Sequence, residues 1–455
     1  MMPELHLAAV AQTLELPFSG PAVPLAAAVV DSRQVETDDL FIALPGARVD
    51  GHDYVAAAAD AGAAAAIVER AVDSCIPTLQ VDDSLAALSR VARANRDAYT
   101  GELLAITGSV GKTSVKNLCR AVFEQLAPTV ATAGNYNNEI GVPLTLSRLT
   151  ADTRYAVVEM GATRRGDIAH LCGLARPRVS AVLNAMEAHL EGFGSVADVA
   201  DIKAEIYDGL PADGVGVLDL DQPWAAQWRE RIAASGARLL SYSVHGGGDF
   251  GVADVEDRGL AGIDFTLCHG DERAPVTLPL PGRHNLANAL AAAALSSACG
   301  VPLPAIARGL GAVQGESGRL QVARLDDGTT LIDDSYNANP GSVRAAISLL
   351  GNTAGRRALI LGEMLELGDE SAALHREMGE EAAAAGIDIF IGLGAALAPA
   401  AEAFGAGSAL PDREALRALL PELLADADVI LVKGSRGAAM EGVVADLREL
   451  AGEGG

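Results

Sequence analysis

Five side chains in this sequence have the types and spacing to do chemistry together: Lys112, Thr113, Glu159, His189 and Lys203. The first two lie in AITGSVGKTSVKN, Ala105 to Asn117. A phosphate-binding P-loop ordinarily sets its first glycine six residues before the lysine. Here Gly108 stands only four residues before Lys112. The flanks nevertheless suit a phosphate site. ELLAI before the loop is a short apolar run, and Val115, Leu118, Cys119 and Val122 after it recur at helical spacing. A strand, a glycine turn and a helix aim free backbone N–H groups and the positive helix end at an anion. Lys112 would then meet the outer phosphates, and the Thr113 hydroxyl would reach a magnesium ion.

Glu159 closes the apolar run YAVVE, His189 follows the run and turn VLNAMEAH, and Lys203 sits in the helical pattern SVADVADIKAEIYDGL with Glu205 two residues on. Taken singly, these are a solvated strand end, a surface histidine and a solvated helix face. Ligands of open α/β sheets gather at the carboxyl ends of strands, where Lys112, Glu159 and His189 should converge. A carboxylate and an imidazole beside a P-loop suggest a magnesium site beyond the one at Thr113. Three amide- and carboxylate-rich segments accompany them. GNYNNEIGVP is either a hydrogen-bonding loop for a base or peptide or a plain Asx turn. GRHNLANAL puts Asn285 and Asn288 on one face of a first helical turn. DDSYNANPGS carries Asp333 and Asp334 ahead of a turn fixed by Pro340.

The elements that must position these groups fall into three blocks within an α/β class. Residues 1–99 alternate short apolar runs (AAAVV, DLFIAL, AAAIVE, TLQV) with alanine-rich helical segments and end in SLAALSRVARANRDAY. Residues 100–313 carry the P-loop, further strands at RYAVVEM, RVSAVLNA, GVGVLDL and RLLSYSV, a β-rich patch near DFGVADVEDRGLAGIDFTLCHG and the long helix HNLANALAAAALSSAC. That alternation predicts a mainly parallel central sheet. Residues 314–455 repeat strand and helix through TTLIDDS, RRALILGE, IDIFIGLG and DVILVKGS, four strands of a Rossmann-like doubly wound domain. GLG at 392–394 lacks the rest of a dinucleotide fingerprint.

Composition limits the partners. A formal net charge of −26 over 455 residues repels polyanions, so no nucleic acid is expected. Cys75, Cys119, Cys172, Cys268 and Cys299 form no CxxC pair and read as residues of a reducing cytosol. The start, MMPELHLAAVAQTLELP, has no basic n-region, and the alanine-rich stretches are too short and too charged to span a bilayer. A cytoplasmic, monomeric protein with no membrane insertion is expected.

Nine segments in order resemble the Mur ligase family of peptidoglycan synthesis: DSRQVETDDLFIALPGARVDGHDYV, TGSVGKTS, GNYNNEIGVPLTL, VVEMGATRRGDI, NAMEAHLEGFGS, GRHNLANALAA, LIDDSYNANPGSVRAA, GEMLELGDES and VKGSRGAAME. The short P-loop is that family's own variant. Within it, the motif set is similar to that of the member that joins D-alanyl-D-alanine to UDP-N-acetylmuramoyl-tripeptide. The resemblance implies an ATP- and magnesium-dependent, ADP-forming ligase working through an acyl phosphate. It implies that Gly108, Ser109, Val110, Gly111, Lys112, Thr113 and Ser114 cradle the ATP phosphates, and that Asn138, Asn288, Arg319 and Asp334 contact the nucleotide. Thr113, Glu159, His189 and Lys203 would hold the metal, Lys203 as an N-carbamate, with Lys112, Lys203 and His189 catalytic. Ser32 and Arg33 would sit at the uridine end of the substrate. Whether the tripeptide ends in diaminopimelate or lysine stays open. Two rivals are weaker. A folate polyglutamate ligase would lack the DSR block, and the sister ligase that adds the third residue would carry DNPR, which is absent here. A bare nucleotide switch would need the P-loop but not Glu159, His189 and Lys203.

Overall fold

The computed structural model describes residues 6–20, 23–46, 49–186 and 194–452. Three sheets succeed one another along the chain. The first is wholly parallel, in the order β1 (Ala28–Val29), β2 (Leu40–Ile42), β3 (Ala65–Val68) and β4 (Thr78–Gln80). The helix Ser84–Ala98 follows it, with Asp83 capping its N-terminus by accepting from Ala86 N.

The second sheet has nine strands: β5 (Glu102–Thr107), β6 (Thr129–Ala131), β7 (Tyr155–Glu159), β8 (Val179–Val182), β9 (Val215–Asp219), β10 (Arg238–Tyr242), β11 (Phe250–Asp257), β12 (Ile263–His269) and β13 (Glu272–Leu278). Their order is β13-β12-β11-β10-β9-β8-β5-β7-β6, parallel from β6 to β11 and antiparallel across β11, β12 and β13. Strand β5 is central and buried on both faces, which is why it reads as an unbroken apolar run. Side chains alternate across a strand. Leu104 and Ile106 therefore enter the core shared with Leu118, Phe123 and Leu290, while Leu103 and Ala105 join Val158, Ile206 and Trp228 opposite. The chain leaves β5 toward β6 and β7 on one side, then crosses to β8, β9 and β10 on the other. The loop after β5 thus lies where the strand order reverses, the usual position of a ligand crevice.

The third sheet corrects the expected four strands to six: β14 (Gln321–Arg324), β15 (Thr330–Asp334), β16 (Arg357–Gly362), β17 (Ile389–Leu393), β18 (Ser408–Leu410) and β19 (Val429–Lys433), in the order β14-β15-β19-β16-β17-β18. The two additions are the edges. β14 is antiparallel to β15, and both edge strands are short and half-exposed, so neither shows an apolar run. Segment 134–140 is a loop, as its composition suggests. It joins β6 to the helix Gly141–Ser147. Among the described residues no helix is long and apolar enough to cross a membrane.

Candidate functional site

A cavity of about 1500 Å3 lies where the carboxyl ends of the second and third sheets face each other. Its wall includes Lys112, Thr113, Glu159, Lys203 and Asn288 from the second sheet's side and Arg319, Asp334 and Lys433 from the third's.

The P-loop is held rigidly against the end of β8. Asn184 grips Val110 with both amide atoms: Val110 N donates to its Oδ1 at 2.9 Å, and its Nδ2 donates to Val110 O at 3.1 Å. Ser109 N donates to Asn184 O at 3.2 Å, and Met186 N donates to Ser109 Oγ at 3.0 Å. Gly111 has φ of +81°, and a Cβ there would stand 2.7 Å from Asn288 Oδ1. Only glycine lets the loop turn so close to that amide. Asn288 Nδ2 in turn donates to Asn285 Oδ1 at 2.8 Å, so the two asparagines do share a face. Lys112 Nζ donates to Gly108 O at 2.6 Å. Burial pushes its pKa down, with Glu159 opposing.

Glu159 is only 2% exposed at the end of β7. Each carboxylate oxygen accepts one bond, Oε2 from Thr113 Oγ1 at 3.0 Å and Oε1 from Asn137 Nδ2 at 2.8 Å. A buried carboxylate with a hydroxyl oxygen beside it is a hard-oxygen donor set suited to magnesium, which takes few protein ligands and keeps waters and phosphate oxygens. Among the described residues no three His, Cys, Asp or Glu side chains form a metal cage, as such a site requires none. Lys203, far from being solvated, is 2% exposed. Its pKa lies well below the usual lysine value, chiefly through burial and then through the charge of Lys112. Glu205 serves structure instead, accepting from Gly166 N and Ala169 N at the start of the helix Asp167–Ala175. His189 lies outside the described residues.

The third sheet brings its own polar edge. Lys433 Nζ, closing β19, donates to Asp334 Oδ2 at 2.5 Å and to Asn337 O at 2.9 Å. Asp334 Oδ1 accepts from Leu320 N at 3.2 Å. Burial raises the Asp334 pKa, with Lys433 acting against that. The Arg319 guanidinium stacks over the Tyr336 ring at 4.1 Å, and its buried Nε has no hydrogen-bond partner among the described residues. That leaves a cationic, flat platform with a donor to spare, suited to a nucleotide.

The remaining expected residues behave differently. Asn138 lines the cavity, but its Oδ1 accepts from Ile140 N and Gly141 N at 3.3 and 3.0 Å, the Asx turn held open as an alternative. Ser114 lines the cavity beside Thr113, and Gly108 packs against Leu183. Ser32 and Arg33 are not in the cavity wall. They form a 3-10 turn capped by Asp31, whose carboxylate also pairs with the exposed Arg33 guanidinium at 2.7 Å. Asn137, Asn184 and Lys433 were not singled out from the sequence. The last two had the signal already used for Glu159: each is a polar residue at or just beyond the end of an apolar strand.

Family models match three stretches: Mur ligase family, catalytic domain, over residues 28–96; Mur ligase middle domain over 106–296; and Mur ligase, glutamate ligase domain, over 318–436. The chain is 43% identical over 434 residues to the UDP-N-acetylmuramoyl-tripeptide–D-alanyl-D-alanine ligase of Escherichia coli strain K12, covering 95% of this chain and 96% of that one. The crystal structure of MurF from Acinetobacter baumannii superposes with a TM-score of 0.88 at 33% identity, covering 97% of this chain and 98% of that one. MurF ligase from Thermotoga maritima in complex with ADP gives 0.79 at 28% identity, covering 94% and 98%. The nine sequence segments, the crevice at the strand-order reversal and these matches agree: the chain belongs to the Mur ligase family.

Proposed function

We propose that this ATP-dependent, ADP-forming ligase joins D-alanyl-D-alanine to UDP-N-acetylmuramoyl-tripeptide in the cytoplasmic stage of peptidoglycan synthesis. The observation that carries the reading is the shared cavity, with Lys112, Thr113, Glu159 and Lys203 on one wall and Arg319 and Asp334 on the other.

In the first step a carboxylate oxygen of the tripeptide's last residue attacks the γ-phosphorus of ATP. The bond to the bridging oxygen breaks and ADP leaves. In the second, the amine of D-alanyl-D-alanine attacks the acyl-phosphate carbonyl, loses a proton, and phosphate departs. The chain's task is positioning and charge neutralisation rather than covalent chemistry. Residues 108–114 offer backbone N–H groups and the helix end to the phosphates, and the Lys112 ammonium turns from Gly108 O to the β/γ oxygens. Arg319, with Asn138, Asn288 and Asp334, contacts the nucleotide. Thr113, Glu159 and His189 would hold magnesium, which when bound neutralises phosphate charge. Lys203 would complete that set as an N-carbamate. Its lowered pKa supports this, because only the neutral amine adds to carbon dioxide. Carbamylation also turns a buried cation that repels metal into an anionic oxygen donor. Ser32 and Arg33 are assigned the uridine end, supported by the exposed guanidinium that Asp31 orients.

The test is mass spectrometry of full-length protein with ATP, magnesium, D-alanyl-D-alanine and, separately, the diaminopimelate- and lysine-ending UDP-tripeptides. A pentapeptide product with one of them, with ADP and phosphate released only when both peptides are present, is expected. No product with either, from folded protein, refutes the assignment.

A further inference from the structure

Lysine is among the commonest residues of soluble proteins, yet only four of the 34 Lys and Arg residues here are lysines: Lys112, Lys116, Lys203 and Lys433. Exposed ion pairs use arginine, as in Arg70–Asp50, Arg90–Glu15 and Arg376–Glu402. An ammonium is compact and a guanidinium is a planar fork, so the few positions that carry lysine in an arginine-rich chain call for a physical account. Three of the four line the main cavity. Lys116 is the fourth, and the reading above gives it no task.

Lys116 lies one turn beyond Lys112 on the same face of the P-loop helix, Lys112–Glu124, and is 2% exposed. Two like charges at that spacing, one of them buried, cost stability. Its Nζ donates to Gly134 O at 3.4 Å, at the root of the loop whose Asn137 donates to Glu159 Oε1 at 2.8 Å. The same loop is held at Gly161, whose N donates to Asn137 O at 2.8 Å. Burial lowers the Lys116 pKa, and the carboxylate that most opposes this is Glu159, followed by Glu316. Next to it, Asn117 Nδ2 donates to Glu316 Oε2 at 2.5 Å, on the segment between the second and third sheets. The ammonium therefore stands behind the candidate metal carboxylate, on the side away from the main cavity. It reaches a second cavity of about 540 Å3 that Arg120, Arg148 and Glu316 also line.

We propose that Lys116 is a positioning residue of the nucleotide site, its buried ammonium fixing the 134–137 loop to the P-loop helix so that Asn137 holds Glu159 in place. This rests on the nucleotide reading of the P-loop. Lys116→Met keeps the apolar stem and removes only the charge and donor. Lys116→Arg keeps a charge in the wrong shape. Calorimetric titration of the full chain with ADP and magnesium should show both variants binding about tenfold more weakly, the scale of losing one hydrogen bond from a charged donor. The melting temperature of Lys116→Met and its KM for D-alanyl-D-alanine should stay near wild type. Wild-type affinity in either variant overturns the proposal. So does a variant in which stability, ADP affinity and the D-alanyl-D-alanine KM decline together, since that is general fold support. If the wild-type protein itself binds no ADP, the nucleotide reading falls and takes this one with it. If only the variants match wild type, the nucleotide reading stands.

Discussion

Replacing Glu159 by glutamine separates two jobs that a buried carboxylate beside a P-loop could do, holding the loop or holding the metal. Its two oxygens each accept one side-chain bond, from Thr113 Oγ1 at 3.0 Å and Asn137 Nδ2 at 2.8 Å. Glutamine keeps one acceptor for Asn137, and its amide N–H can donate to a rotated Thr113 hydroxyl. The Thr113 O–H then loses its acceptor, so the fold should lose about 1–3 kcal/mol, the cost of one unsatisfied buried donor. Metal-assisted binding should suffer more. Losing a principal electrostatic stabiliser of phosphate charge costs about 3–4 kcal/mol, some two to three decades in turnover. Without metal the sign reverses. A carboxylate roughly 8 Å from a phosphate repels it by about 2 kcal/mol at an effective dielectric near 20, so its removal should strengthen metal-free ADP binding. Calorimetric titration of ADP in magnesium and in EDTA reads both signs on one protein. Equal weakening in the two buffers would refute a metal role and leave Glu159 as a brace for Thr113 and the P-loop.

Lys203→Ala should nearly abolish ligation, with partial recovery in added short carboxylates that occupy the vacated ligand position, and Lys203→Arg should not restore it because guanidinium cannot form the carbamate; steady-state rates check this, and a fully active arginine variant refutes the carbamate. Asn184→Ala removes both side-chain bonds to Val110 and should cost about 2–3 kcal/mol, read as a lower denaturation midpoint with weaker ADP binding. His375 is fully buried, its Nε2 accepting from Met364 N at 3.0 Å and its Nδ1 facing Ser371 O at 2.8 Å, which only the neutral ring allows. Burial lowers its pKa from 6.5, so the unfolded chain takes up the proton first and the stability this ring contributes, full above pH 6.5, is lost as pH falls below it. The gap in denaturation midpoint between wild type and His375→Gln should therefore be wider at pH 8 than at pH 5.5, and a constant gap refutes the linkage.

The sequence was most legible where one physical rule applied without interference. A polar residue closing a fully apolar run marks the carboxyl end of a buried parallel strand, and that rule put Glu159 at the cavity. The same rule reaches Asn184 after β8 and Lys433 at the end of β19. Lys203 is different in kind. A single lysine in a helix looks solvated until the helix is known to lie buried against the sheet, and periodicity alone does not choose the face that carries it. Asn137 and Asn138 show the same limit at finer grain. The two are adjacent in one amide-rich loop, yet one holds Glu159 and the other closes a turn, and only the backbone path separates them. The edge strands β14 and β18 escaped because half-exposed strands of four and three residues leave no apolar run to find.

The four lysines of the chain share one location. Each sits at or just behind the edge where the second and third sheets meet, three of them 2% exposed. Burying ammonium groups inside a protein of net charge −26 does not serve solubility, and it opposes stability wherever burial lowers the pKa. Lys433 already has Asp334 as its counter-ion and Lys203 is assigned a carbamate, so the ammonium left for an anionic ligand to neutralise is that of Lys112. Phosphate oxygens at Lys112 would offset the cost of its burial. Nucleotide should therefore raise the melting temperature of wild type more than that of Lys112→Met.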